Sequence, residues 1–278
     1  MRIYLNGEIV KDSEARISPF DHGFLYGAGL FETFRIYDGK PFLLKEHLAR
    51  LQKSLKELRI QWDYEQSQIK GILKQLLEAN HLENAYVRLN VSGGIGEVGL
   101  QTAPYDKPTT IIFMKPLPPR TEAPPKVGVL LKTPRNTPEG AFRLKSHHFL
   151  NNIEGKREAG PDPAVEGIFL TEDGFLAEGV VSNLFFVKGG KVFTPALETG
   201  ILRGITRDFV LSLLEKHHIP YEEGFYRTED LKLADEAFVT NSIQEIVSLS
   251  HIDEVLFSSQ SLSNFLKTQY EEAIFQKK

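Results

Sequence analysis

The chain contains no cysteine, which excludes disulfides, thiolate metal sites and a cysteine nucleophile together. No apolar run approaches the roughly 18 residues that a membrane span requires. The first residues, MRIYLNGEIVKD, lack an apolar signal core and read as a strand with a turn at Asn6-Gly7. There is no low-complexity tract and no internal repeat. Charge is also nearly balanced, 33 Lys plus Arg against 37 Asp plus Glu, so neither nucleic acid nor an anionic membrane is an expected partner. A small anionic ligand stays open, because local charge decides its binding. These absences leave a cytoplasmic protein as the expectation.

What is present is an ordinary globular composition, 41% hydrophobic and 25% charged over 278 residues, enough for two modest domains or one large one. After the opening hairpin comes SPFDHGFLYGAGLFETFRIYDGKPF, rich in glycine and aromatics, with a turn at Asp38-Gly39. From Lys45, Leu48, Leu51, Leu55 and Leu58 recur at helical spacing; Ile69, Ile72, Leu73, Leu76 and Leu77 mark a second helix. AYVRLNVSGG and TTIIFMK alternate as strands do. Helices and strands interleaved in this way predict a mixed α/β unit.

Residues 116–125, PLPPRTEAPP, hold five prolines. Proline fixes φ and lacks the N–H that a helix or central strand needs, so this stretch is an extended connector. It divides a smaller α/β domain at 1–115 from a larger domain at 126–278; a proline-rich loop inside a single domain is the alternative. Beyond it, KVGVLLK, VEGIFLT, VVSNLFFV and DEAFVTNS are β-rich. A helix is expected around Phe209, Val210, Leu213 and Leu214, and SLSNFLKTQYEEAIF reads as a closing helix.

Four features carry possible chemistry. Lys145, in FRLKSHHFLNN, has apolar and aromatic neighbours, which lower an amine pKa as Schiff-base chemistry needs. Taken alone, that context does not lift it above an ordinary surface lysine. His147 and His148 follow it, but no carboxylate stands at a matching spacing and no metal site is expected. In GILRGITRDFV a glycine turn feeds a helix beginning at Ile205 and Thr206, and free N–H groups at such a start attract phosphate. Simple helix capping would give the same pattern. Glu178, in EGVVSNLFFV, is a turn carboxylate unless a cation such as a protonated pyridine needs neutralising. Arg50, in EHLARLQKSL, is an exposed helix residue or a fork for phosphate.

Their order along the chain is more specific than any one of them. Arg50 in EHLARL, Lys145 in FRLKS, Glu178 in AEGVVSN, GITR at 204–207 and TNS at 240–242 resemble, in that sequence, the fold-type IV pyridoxal-phosphate enzymes. That family includes branched-chain aminotransferases, D-amino-acid aminotransferases and 4-amino-4-deoxychorismate lyases. SPFDHGFLYGAGLFETFR, NTPEGAFRLKSHHFLNN and VEGIFLTEDG are most similar to the lyases of Bacillus-type bacteria.

The resemblance implies a two-domain, D-amino-acid-aminotransferase-like α/β fold, pyridoxal 5'-phosphate as cofactor, and a homodimer. Lys145 would carry the cofactor covalently and move the proton; Glu178 would face the pyridinium nitrogen. Arg50, the Ile205 and Thr206 amides, the Thr206 hydroxyl and Ser242 would hold the phosphate. Thr33 stands where branched-chain enzymes have glycine, and in the lyases a threonine there aids the departing enolpyruvyl group. Leu150 replaces the tyrosine those aminotransferases carry five residues after the lysine. The implied activity is elimination of pyruvate from 4-amino-4-deoxychorismate, giving 4-aminobenzoate for folate synthesis, with Arg88 and Asn90 as candidates for the substrate carboxylates. A D-amino-acid or branched-chain aminotransferase is the alternative within the fold, and a non-catalytic small-molecule binder the alternative outside it.

Overall fold

The computed structural model of the chain describes residues 1–117 and 124–276, so most of the expected 116–125 connector lies outside the described residues. Contacts group the chain into two compact units: Met1–Arg120 with Leu144–His148, and Thr121–Arg143 with Phe149–Lys278.

The first unit contains β1 (Arg2–Leu5), β2 (Glu8–Lys11), α1 (His22–Tyr26), β3 (Gly29–Tyr37), β4 (Lys40–Pro41), α2 (Leu44–Glu57), α3 (Gln66–Asn80), β5 (Ala85–Ser92) and β6 (Thr109–Pro116). Its strands form one antiparallel sheet in the order β2-β1-β6-β5-β3-β4. Asn6-Gly7 and Asp38-Gly39 both take positive φ at two successive residues, the backbone that a tight hairpin turn of matching twist demands. Leu44, Leu48, Leu51 and Leu55 of α2 pack with Ile69, Leu73 and Leu76 of α3 against Leu30, Phe34, Ile36, Val87 and Leu89 of the sheet.

Register then fixes what the other face of the sheet carries. Phe31 lies opposite Asn90, and Thr33 opposite Arg88. Cross-strand partners share a face and successive residues alternate, so these four stand together on the side away from the leucine core. Residues 144–148 are bound to the start of the same strand. The Phe31 N–H donates to the Lys145 carbonyl at 2.9 Å, the His147 N–H to the Gly29 carbonyl at 2.9 Å, and Leu30 bridges Ser146. Sequence order assigned Lys145 to the 126–278 domain; this backbone pairing instead groups it with the first unit.

The second unit contains β7 (Lys126–Leu130), α4 (Leu150–Ala159), β8 (Val165–Leu170), β9 (Leu176–Gly179), β10 (Asn183–Lys188), β11 (Lys191–Pro195), α5 (Ile205–Lys216), β12 (Tyr221–Gly224), α6 (Thr228–Leu231), β13 (Glu236–Asn241), β14 (Glu245–Ile252), β15 (Val255–Leu256) and α7 (Ser261–Gln276). The strand order is β12-β11-β10-β13-β14-β7-β8-β9, with β15 on β14. β9 also returns to β10 through the pair Glu178–Asn183, so six strands close a circuit. Ile168, Leu176, Leu184, Phe186, Val239 and Leu249 form one core of this unit. Among the described residues no helix is long and apolar enough to cross a membrane.

Candidate active site

The residues singled out from the sequence fall into two groups, one in each unit. In the first unit the Lys145 ammonium stands 4.6 Å from the centre of the Phe31 ring, and the Arg88 guanidinium carbon 3.7 Å from it. An aromatic face attracts cations, so one buried ring orders two of them. The His147 ring stacks on Phe31 at 6.3 Å and 25°. Burial, and then the charge of Arg88, push the His147 pKa down. Arg88 donates Nε–H to Asn90 Oδ1 at 3.1 Å, and among the described residues no carboxylate pairs with it. Burial lowers its pKa in turn, opposed by Tyr86. A partly desolvated guanidinium beside Thr33 and Asn90 suits an incoming carboxylate. His148 is exposed and bonds the Tyr26 carbonyl at 3.0 Å through Nε2.

Arg50 is not the exposed helix arginine its context allowed. Its Nε–H donates to Glu32 Oε1 at 2.8 Å and its Nη2–H to Oε2 at 2.6 Å. His47 Nδ1 lies 2.7 Å from the same Oε2. Burial raises the Glu32 pKa, but the Arg50 charge and the bonds from His47 and Arg50 outweigh it and hold the carboxyl at about 2. Glu32 and His47 were not identified from the sequence. The available signal was a glutamate at a core-facing position of β3, with His47 and Arg50 three apart beside the leucine stripe of α2.

In the second unit Glu178 lies within β9, at the point where the sheet closes, not in a solvated turn ahead of a strand. It is 3% exposed. Oε1 accepts Arg135 Nε–H at 2.8 Å; Oε2 accepts the Leu202 N–H at 2.9 Å and Asn183 Nδ2–H at 3.3 Å. Arg143 Nε is 3.8 Å from Oε1. Burial and then Arg135 lower the Arg143 pKa to about 10, although Glu178 pulls it up. Neither arginine was singled out from the sequence. Two guanidiniums thus flank one buried carboxylate, Arg135 by a direct hydrogen bond and Arg143 at longer range.

The start of α5 fits a phosphate. No side chain caps the helix at Gly204, so its first N–H groups and positive dipole end are available to an anion. Thr206 Oγ1 and Ser242 Oγ lie 3.3 Å apart there. Thr240 Oγ1, at the end of β13 opposite Asn183, is buried with no hydrogen-bond partner among the described residues. Gly204 is required by a close approach: an added Cβ would collide with Asn183 Oδ1. Gly204→Ala is therefore expected to cost about 1–3 kcal/mol, as overpacking does. It should also weaken pyridoxal-phosphate binding, measured by thermal melting and equilibrium dialysis. Leu150, the first residue of α4, is exposed.

Residues 29–252 match the family model Amino-transferase class IV. The chain belongs to this family. Among class IV relatives, it is 50% identical over 261 residues to the aminodeoxychorismate lyase of Bacillus subtilis (strain 168), covering 93% of this chain and 89% of that one. It is 32% identical over 257 residues to the D-alanine aminotransferase of Bacillus licheniformis, covering 91% and 89%. The branched-chain amino acid aminotransferase of the archaeon Thermoproteus uzoniensis, solved with norvaline, matches at a TM-score of 0.90 and 26% identity, over 100% of this chain and 96% of that one. The fold is thus the mixed α/β, fold-type IV architecture expected from the sequence.

Proposed function

We propose that this class IV family member is a pyridoxal-phosphate-dependent 4-amino-4-deoxychorismate lyase, releasing pyruvate and 4-aminobenzoate. The observation that carries this is the 50% identity, over 93% of the chain, to a protein of that activity. When bound, the cofactor supplies an electron sink for the pair left behind as a proton departs the carbon bearing nitrogen.

The chain's own residues do the rest. Lys145 would anchor the cofactor and, as a neutral amine, would take that proton. The carbon–oxygen bond to the neighbouring enolpyruvyl group then breaks and the ring becomes aromatic, with the lost pair leaving on oxygen. The Thr33 hydroxyl donates toward that oxygen, and Arg88 with Asn90, on the same face, take substrate carboxylate. Glu178 balances the pyridinium charge. Ile205, Thr206, Ser242 and Arg50 hold the phosphate. No keto acid is consumed, because the amine leaves with the product. A homodimer in the cytoplasm accords with this proposal, and exposed Ile95, Val98 and Leu100 supply apolar surface of the kind a partner copy covers.

Incubation with 4-amino-4-deoxychorismate is expected to give pyruvate and 4-aminobenzoate in equal amounts without added keto acid. Faster amino transfer from D-alanine or a branched-chain amino acid to 2-oxoglutarate would make the protein an aminotransferase instead. Thr33→Val should lower kcat of the elimination by about 100–1,000-fold, the effect of losing one donor to a developing charge, with cofactor content unchanged. Wild-type kcat in that variant would take Thr33 out of the reaction.

A further inference from the structure

Glu32 occupies a place where packing calls for an apolar side chain. Leu30, Phe34 and Ile36, its neighbours at alternate positions of β3, belong to the core beneath α2 and α3, and Glu32 shares their face at 1% exposure. α2 sends His47 and Arg50 to it from beside its leucines. A carboxylate held at about 2 can only accept at neutral pH, so the shared proton of the His47 pair sits on Nδ1. Burial lowers the His47 pKa, with Glu32 opposing and Arg50 and Lys145 adding to the decrease, which leaves the ring neutral. The cluster therefore holds one anion, one cation and one neutral donor.

A buried ion pair of this kind adds little stability over apolar residues filling the same space. What it does provide is orientation. Two parallel bonds to Glu32 fix the plane of the Arg50 guanidinium, and the His47 donor fixes the carboxylate in turn. An arginine clamps phosphate well only in a defined plane, and ordering it within the fold spares the ligand that entropic cost.

We propose that Glu32, backed by His47, is a positioning residue that presents Arg50 to the cofactor phosphate already oriented, and so sets cofactor affinity without touching the cofactor. This rests on the assignment of Arg50 to the phosphate. Apo-protein is titrated with pyridoxal 5'-phosphate and, separately, with pyridoxal, which lacks the phosphate; the ratio of the two Kd values measures what the phosphate contributes.

Glu32→Gln is expected to weaken pyridoxal-phosphate binding about tenfold or more, the scale of one impaired charge-assisted bond, while leaving the pyridoxal Kd unchanged. Arg50→Gln should shrink the ratio at least as far. An unchanged ratio in Arg50→Gln would overturn the phosphate assignment and the positioning role with it. A reduced ratio in Arg50→Gln but not in Glu32→Gln would overturn the positioning role alone, as would equal weakening of both ligands by Glu32→Gln. Should Glu32→Gln not fold, His47→Leu, which removes only the backing donor, is expected to lower the ratio by about threefold; no change there would equally overturn the proposal.

Discussion

Replacing Lys145 by alanine is expected to cut turnover by ~10⁴-fold or more, because the proposed role of the side chain is both covalent anchor and proton carrier. The fold should survive the change. The segment around it is held by the Phe31 N–H to Lys145 carbonyl bond, the His147 N–H to Gly29 carbonyl bond and the Leu30–Ser146 bridge, none of which uses the lysine side chain. What the variant gives up locally is the ammonium over Phe31, a contact worth about 0.5–1 kcal/mol at a partly exposed site. Three measurements check this: turnover, thermal melting, and intact mass after borohydride reduction of the loaded protein. A melt within a few degrees of wild type, no cofactor mass increment and no turnover are the expected set. Residual turnover above about one hundredth of wild type would remove Lys145 from the chemistry.

The placement of Lys145 also shows what kind of information the sequence holds. Local patterns were legible: the leucine spacing of α2, the alternation of β5 and β6, and the Asn6-Gly7 and Asp38-Gly39 turns all report on neighbours a few residues away. α4 was not legible, because LNNIEGKREA buries only Asn152 and Gly155 and so has no apolar stripe. The attachment of residues 144–148 to β3 was not legible either, since backbone pairing across more than a hundred residues leaves no mark on either segment. The faces of Arg88 and Asn90 became definite only with the β3–β5 register. The ordered set Arg50, Lys145, Glu178, Thr206 and Ser242 could be proposed from the sequence because each residue's chemical type suits one task. The side chains that hold Arg50 and Glu178 in place, Glu32, His47, Arg135 and Arg143, were missed for the converse reason. A buried glutamate or arginine looks like a surface one until its partner is known.

The same partnership governs the second large effect. Glu178→Gln is expected to lower stability by about 3–5 kcal/mol, the cost of breaking a buried ion pair, and the melting temperature by on the order of 10 °C. Glutamine supplies one acceptor oxygen where Glu178 uses two, against Arg135 on one side and Leu202 N–H with Asn183 on the other. Its amide N–H₂ would face one of these donor sets, and the two arginines would lose their counter-charge. Turnover should fall as well, which by itself does not separate a folding role from a chemical one. The double variant Arg135→Leu, Glu178→Leu does. Removing Arg135 with the carboxylate relieves the nearer of the two unpaired cations and leaves Arg143, so part of the lost stability should return. Turnover should not return, because the carboxylate proposed to balance the pyridinium charge is still missing. Recovery of both would reduce Glu178 to a structural partner of Arg135; recovery of stability alone assigns its charge to the chemistry.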